Sequence, residues 1–178
     1  ANMSKGRLGD DASALLGSFL VTSLQLAAMS RADVPPEKRR DFFVYVDEFQ
    51  NYATDSFATN LSEACKYRLS LTLANQYLAH LPQVTRSAIF GNIGAWVCFQ
   101  LGAEDAEIVA DQLGGRVEPQ DLMTIPRYQA YARLLLEGQP TKPFSMQTLP
   151  VRASSQHLHR SNVIRRTSRH RYASPRKK

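Results

Sequence analysis

Cysteine is scarce in this chain: Cys65 and Cys98 are the only two, and neither stands in a CxxC or other metal-ligand spacing. That count argues against a disulfide framework and against a zinc site, and it is the usage of a reducing compartment. A Gly-Lys pair occurs nowhere, so there is no G-x-x-x-x-G-K-[ST] loop of the kind whose backbone N–H groups cradle phosphates. No short basic region precedes an apolar core with a small-residue cleavage site, which leaves no visible secretory signal. Acidic residues are missing from 151–178, where nine basic groups stand. The body, 1–150, holds 13 basic and 16 acidic groups, so the net charge of +6 belongs to the tail.

What is present is enough for one sizeable core. The chain has 178 residues, 43% of them apolar, and one domain is the expectation. Ala12 to Ser30 runs 19 residues without a charge, which raises the question of a membrane span. Ser13, Gly17, Ser18, Thr22, Ser23, Gln25 and Ser30 interrupt it and leave Leu16, Leu20 and Leu24 with Leu15, Phe19 and Leu26 as a stripe. The pattern predicts an amphipathic or core helix from about Asp11 to Arg31, started by Asp10 and Asp11.

The stretch Asp41 to Gln50, DFFVYVDEFQ, organises the rest. Phe42 to Val46 is an unbroken run of aromatic and β-branched residues, the composition of a strand buried on both faces of a parallel sheet. Asp47 and Glu48 follow at its carboxyl end, where open α/β sheets place their ligand crevice. This is the Walker B layout of nucleotide-driven motors, with an Asp for Mg²⁺ and a Glu for the attacking water. Neighbouring residues at a strand end point in different directions, so one carboxylate can face the metal and the next the γ-phosphate. The bare pattern also describes a strand that ends in two solvated acids.

The remaining elements follow in a helix–strand rhythm. A helix is expected from about Ser56 to Tyr67, and a strand from Leu69 to Leu73 that ends in Ala74-Asn75-Gln76. A short helix spans Gln83 to Phe90, a third strand Ala95 to Phe99, and a helix Ala103 to Leu113 with acids in its first turns and Gly114-Gly115 as its stop. Pro119 to Met123 gives one more turn, Tyr128 to Leu136 a strand, Glu137-Gly138 a turn, and Pro143 to Met146 an edge strand. The fold class is therefore α/β with a largely parallel sheet flanked by helices. From His157 onward Arg, Ser and His dominate, and a disordered tail is expected over 151–178.

Two segments carry a family resemblance. VYVDEFQNYATDSFATNLSEACKYRLSLTLANQYLAHLP and AIFGNIGAWVCFQLGAEDAE resemble the carboxyl-terminal half of the motor domain of TraD/TraG-type coupling ATPases, the conjugative DNA-transfer proteins of type IV secretion systems. Similarity runs from about Met3 to Pro150. It implies a partial RecA-like P-loop NTPase domain, working as a homo-hexamer at the cytoplasmic face of the bacterial inner membrane, with ATP and Mg²⁺ as cofactors. Single-stranded DNA, the relaxase or DNA-processing complex, and secretion-channel components are the implied partners. Carried over by residue, Asp47 coordinates Mg²⁺, Glu48 is the catalytic carboxylate, and Gln76 is the polar sensor of the γ-phosphate, with Asn75 a weaker second. An amide suits a sensor because it donates to a phosphate oxygen and accepts from water.

Departures from the family pattern matter as much. Relatives tend to have Arg where Cys65 stands, which leaves Arg68 or Lys66 as the cation for reaching across a subunit interface, and Lys is the poorer bidentate partner for phosphate. Arg68 is equally an ordinary solvated cation at a helix end. The missing phosphate loop, with the start Ala1-Asn2-Met3, fits a split, truncated or excised chain whose membrane anchor and loop lie upstream. No ATPase is expected from the chain alone. The alternative is a docking module that recruits the DNA-processing complex or a secretion substrate without catalysis. In the basic tail, Arg160, Arg165, Arg166, Arg169 and Arg171 are candidates for phosphate contacts on DNA, or simply a solubilising end.

Overall fold

A computed structural model describes residues 1, 3, 5–53, 61, 63–79, 81–150 and 156–174, without the side chains of 7 and 156–159. The chain forms two compact units, Ala1–Met146 and Gln147–Lys178. In the first, helix α1 (Lys5–Leu8) leads into the long helix α2 (Asp10–Met29), followed by strand β1 (Phe42–Val46) and strand β2 (Leu69–Leu73). Helix α3 (Gln83–Asn92), strand β3 (Trp96–Cys98), helix α4 (Ala103–Gln112) and the short helix α5 (Pro119–Met123) come next. Strands β4 (Gln129–Arg133), β5 (Leu135–Leu136), β6 (Gln139–Pro140) and β7 (Phe144–Gln147) close the run. Half of the helix expected over Ser56 to Tyr67 lies outside the described residues; Cys65–Tyr67 is a one-turn 3-10 helix.

The expectation of a largely parallel sheet holds for one pair. β1 and β2 run parallel in the register Phe42↔Leu69 to Val46↔Leu73. β3 instead pairs antiparallel with β4, which also borders β7, and β5–β6 is a separate antiparallel hairpin. Helix–strand alternation fixes the order of elements but not strand direction: after α4, Gly114 and Gly115 with positive φ and the α5 turn bring the chain back so that β4 runs against β3. The hairpin turn has a local cause. Glu137 and Gly138 both have positive φ (50° and 77°), the conformation of a two-residue turn whose twist matches its strands.

β1 is not buried on both faces. Val44 and Val46 pack inward, whereas Phe42, Phe43 and Tyr45 are exposed. Helix α2 also departs from its expected stripe. It buries Ser13, Gly17, Gln25 and Ala28, while Leu15, Leu16, Phe19 and Leu26 lie exposed. Small residues face inward because the contacts there are close: a Cβ on Gly17 would come within 2.2 Å of the Tyr52 ring. Ala28 packs with Ala64 and Leu69, and Val21 packs against the cluster around Phe49. α2 is long and apolar enough to cross a membrane by length and composition, and these contacts make it part of the fold.

A second, larger core lies between α4, α5 and the β3–β4 pair. Ala106, Val109, Leu113, Leu122 and Trp96 are its buried members, and Phe90 packs at 5.3 Å from the Trp96 ring. In the second unit, Gln156–Tyr172 is helix α6 rather than a tail without regular structure, and its described side chains, from Arg160 on, are all exposed. A helix of this length is marginal in water by itself.

Candidate functional site

The carboxyl ends of β1 and β2 are tied together through one residue. Ala74 donates its N–H to the Val46 carbonyl (2.9 Å) and accepts from the Phe49 N–H (3.0 Å). Phe49 is fully buried, so the turn that follows the two acids is anchored both by a backbone bond and by the core. Between those anchors Glu48 takes a left-handed conformation, φ 53°, sparsely populated for a side chain of this size. Such backbone persists where surrounding contacts over-determine it, and it concentrates at functional sites.

That turn brings the predicted residues together. The Gln76 side-chain N–H₂ donates to Glu48 Oε1, and Gln50 donates to Glu48 Oε2 at 2.6 Å. A carboxylate only accepts, so both amides present their nitrogens to it. Asp47 lies exposed beside them, its Oδ1 accepting the Glu48 backbone N–H at 3.0 Å. Asp47 and Glu48 line a cleft of about 870 Å³ along β1, with Lys5, Asn51 and Tyr52 on its wall. Gln76 and Asn75 open onto a second cleft of about 430 Å³, lined also by Asp105 and Trp96. Glu48 and Gln76 thus meet at the divide between the two clefts.

Three residues of this region carried no signal in the sequence pattern. Gln50 reaches Glu48 only because the turn places residues two apart on one side. Lys5 begins α1 and bonds Asn51 Oδ1 at 3.0 Å. Asp105, which sequence reasoning placed among the dipole-favoured acids of a helix start, is buried and accepts the Leu78 N–H at 3.0 Å through Oδ2. It thereby fixes the loop that carries Gln76 to helix α4.

Arg68 is not brought to this site. It stands before β2, with left-handed backbone (φ 57°), and pairs with Asp41 at 3.1 Å, both partners exposed. The strand between it and Gln76 spans five residues, roughly 17 Å. Lys66 is also exposed and bonds Glu63 at 2.7 Å, which raises its pKa. Cys98 is buried in the second core, and desolvation pushes its thiol up to about 11, so it is no nucleophile. Around α6, Arg165, Arg166 and Arg169 share a side by helical spacing, while Arg160 and Arg171 fall on the other.

Among the described residues no group of three His, Cys, Asp or Glu is placed to hold a metal by itself. The donor set still fits magnesium, which is commonly held by one or two carboxylates plus substrate phosphates rather than by a protein cage.

No family model matches the chain, and no curated protein matches it by sequence. Among solved structures, plasmid coupling protein TrwB, in complex with the non-hydrolysable ATP analogue ADPNP, matches with a TM-score of 0.59 over 78% of this chain at 14% identity. The fold is shared with TrwB. This chain spans 38% of the TrwB chain's length. At such low identity the likeness concerns the backbone, and the roles of individual side chains rest on their own geometry.

Proposed function

We propose that this chain is part of an ATP-driven, DNA-translocating coupling protein of a conjugative type IV secretion system, carrying the acidic and sensor groups of its nucleotide site. The observation that carries the reading is the Glu48–Gln76 contact, which joins the ends of adjacent parallel strands beside the exposed carboxylate of Asp47. Asp47 is the ligand for magnesium, which when bound would neutralise phosphate charge. Glu48, steadied by Gln50, is the acceptor for a proton of the attacking water. Gln76 is the group able to exchange the Glu48 carboxylate for a phosphate oxygen, and so to report occupancy to the loop that Asp105 anchors.

Arg68 belongs to this scheme only across an interface, since within one chain a whole strand separates it from Glu48. A homo-hexamer at the cytoplasmic face of the inner membrane supplies such an interface. Single-stranded DNA, the relaxase complex and channel components are the partners in that setting. On one face of α6 three arginines, Arg165, Arg166 and Arg169, are available to phosphates, so deleting 151–178 should flatten the salt dependence of single-strand affinity by a slope of about 2.

The absent phosphate loop favours a second reading, a docking module without catalysis. Two measurements separate them. The purified 178 residues should show no magnesium-dependent ATP turnover; robust hydrolysis abolished by Glu48→Gln would mean that the site is complete without a phosphate loop. An in-frame G-x-x-x-x-G-K-[ST] upstream of the codon for Ala1 supports the motor, whereas a start codon there supports the module.

A further inference from the structure

The strongest unassigned feature is a gap between two sheets. A cleft of about 650 Å³ is lined on one wall by every residue of β2, Leu69 to Leu73, and on the other by Gly94, Ala95 and Val97 at β3. Side chains of consecutive strand residues alternate between faces. A cavity that touches all five therefore lies against the strand's edge.

Hydrogen-bond parity says the same. Phe42 N–H donates to the Arg68 carbonyl, and Ala74 N–H donates to the Val46 carbonyl. Even-numbered residues of β2 thus point their backbone groups at β1, and Leu69, Leu71 and Leu73 point theirs into the cleft. Among the described residues β3 has a strand neighbour on one side only, β4. Among the described residues two unpaired edges thus border a single slot, and its wall is mostly apolar, with Leu71, Leu73, Ile93 and Val97 among its residues.

We propose that this slot binds an extended, apolar polypeptide segment from outside residues 1–178, which inserts as a strand between β2 and β3 and joins the two sheets into one. Only a strand offers alternating N–H and C=O groups on both of its sides, as two facing edges require. A small molecule or a helix would leave at least one edge unmatched. The inference rests on strand pairing and stands whether or not Glu48 serves a nucleotide.

Amide hydrogen exchange of the whole 178-residue chain, read residue by residue by NMR, tests it. In the free chain the Leu71 and Leu73 amides should exchange about a hundredfold faster than those of Ser70 and Thr72. Millimolar acetyl-Lys-Val-Thr-Val-Ile-Val-Lys-amide should slow Leu71, Leu73 and amides within 94–97 by about tenfold or more together. The same peptide N-methylated at alternate residues, which lacks the donors of one side, should not. Equal protection of Leu71 and Ser70 in the free chain overturns the proposal, and protection that rises with protein concentration would assign the slot to a second copy. Failure of the peptide to slow any of these amides, slowing at one edge only, or an equal effect of the methylated peptide also overturns it.

Discussion

Gln76 donates its side-chain amide to Glu48 across the ends of two parallel strands, and Ala74 holds both strand ends in register beneath them. Residues 28 positions apart in the chain are coupled by a fold whose order of elements was legible in the sequence. The coupling is measurable by a double-mutant cycle. Glu48→Gln, Gln76→Leu and the double variant, compared by urea denaturation, should give an interaction energy of about 1 kcal/mol, reduced from the buried value because Gln76 is exposed. Additive effects would mean that the contact is incidental.

Gly17 faces the Tyr52 ring so closely that Ala is expected to cost about 1–3 kcal/mol of stability by overpacking. The sign should reverse when the ring is gone. In a Tyr52→Ala background, Gly17→Ala should gain up to about 1 kcal/mol, the usual preference of a helix for Ala over Gly. Paired denaturation curves check both arms.

Asp105→Ala removes the acceptor of the Leu78 N–H in a buried setting, and a loss of about 1–3 kcal/mol is expected. Faster amide exchange at Leu78 should accompany it. Asp105→Asn keeps an acceptor oxygen and should lose less of both.

Alkaline pH should destabilise the chain through Cys98. The buried thiol ionises near 11 in the fold and near 9.0 when free, so between these values the unfolded chain binds fewer protons than the native one. Stability then falls as pH rises through that window, by at most about 1.4 kcal/mol per unit, and the contribution is whole below pH 9.0. Cys98→Ala should remove this slope from melting curves taken across the window. Thiol reagents should modify the exposed Cys65 well before Cys98.

The sequence was informative where local chemistry decides. Phe42 to Val46 and Leu69 to Leu73 emerge as strands with the predicted bounds, because an aromatic and β-branched run in the first and alternating leucines in the second, each between polar turns, allow few alternatives. Glu137-Gly138 turns as expected, with Gly138 at the positive φ that glycine adopts readily. Direction and burial were not legible in the same way. β4 runs antiparallel to β3, and β1 leaves Phe43 and Tyr45 exposed, since both properties depend on what the neighbouring strands and layers do. The inverted burial of α2 has a similar origin: a close approach to Tyr52 selects Gly17, and a hydrophobic count along the helix cannot see it. Within the site, Asp47, Glu48 and Gln76 stood out by position at strand ends, whereas Gln50 and Asp105 act through tertiary contacts that leave no local signature.

Arg68 marks the boundary between fold and assembly. Its exposed pair with Asp41 is worth about 0–1 kcal/mol, so Arg68→Ala should barely change the stability of the isolated chain. If Arg68 works across subunits, the loss should appear only as lower ATP turnover of the assembled parent.

The most direct test of the account is a titration of the chain with Mg²⁺-ADPNP, followed by amide and side-chain NMR. On the proposed function, weak, magnesium-dependent shifts should appear at Asp47, Glu48 and the Gln76 side-chain amide and vanish in Asp47→Asn. Shifts that spare all three, or that persist unchanged in Asp47→Asn, would contradict it.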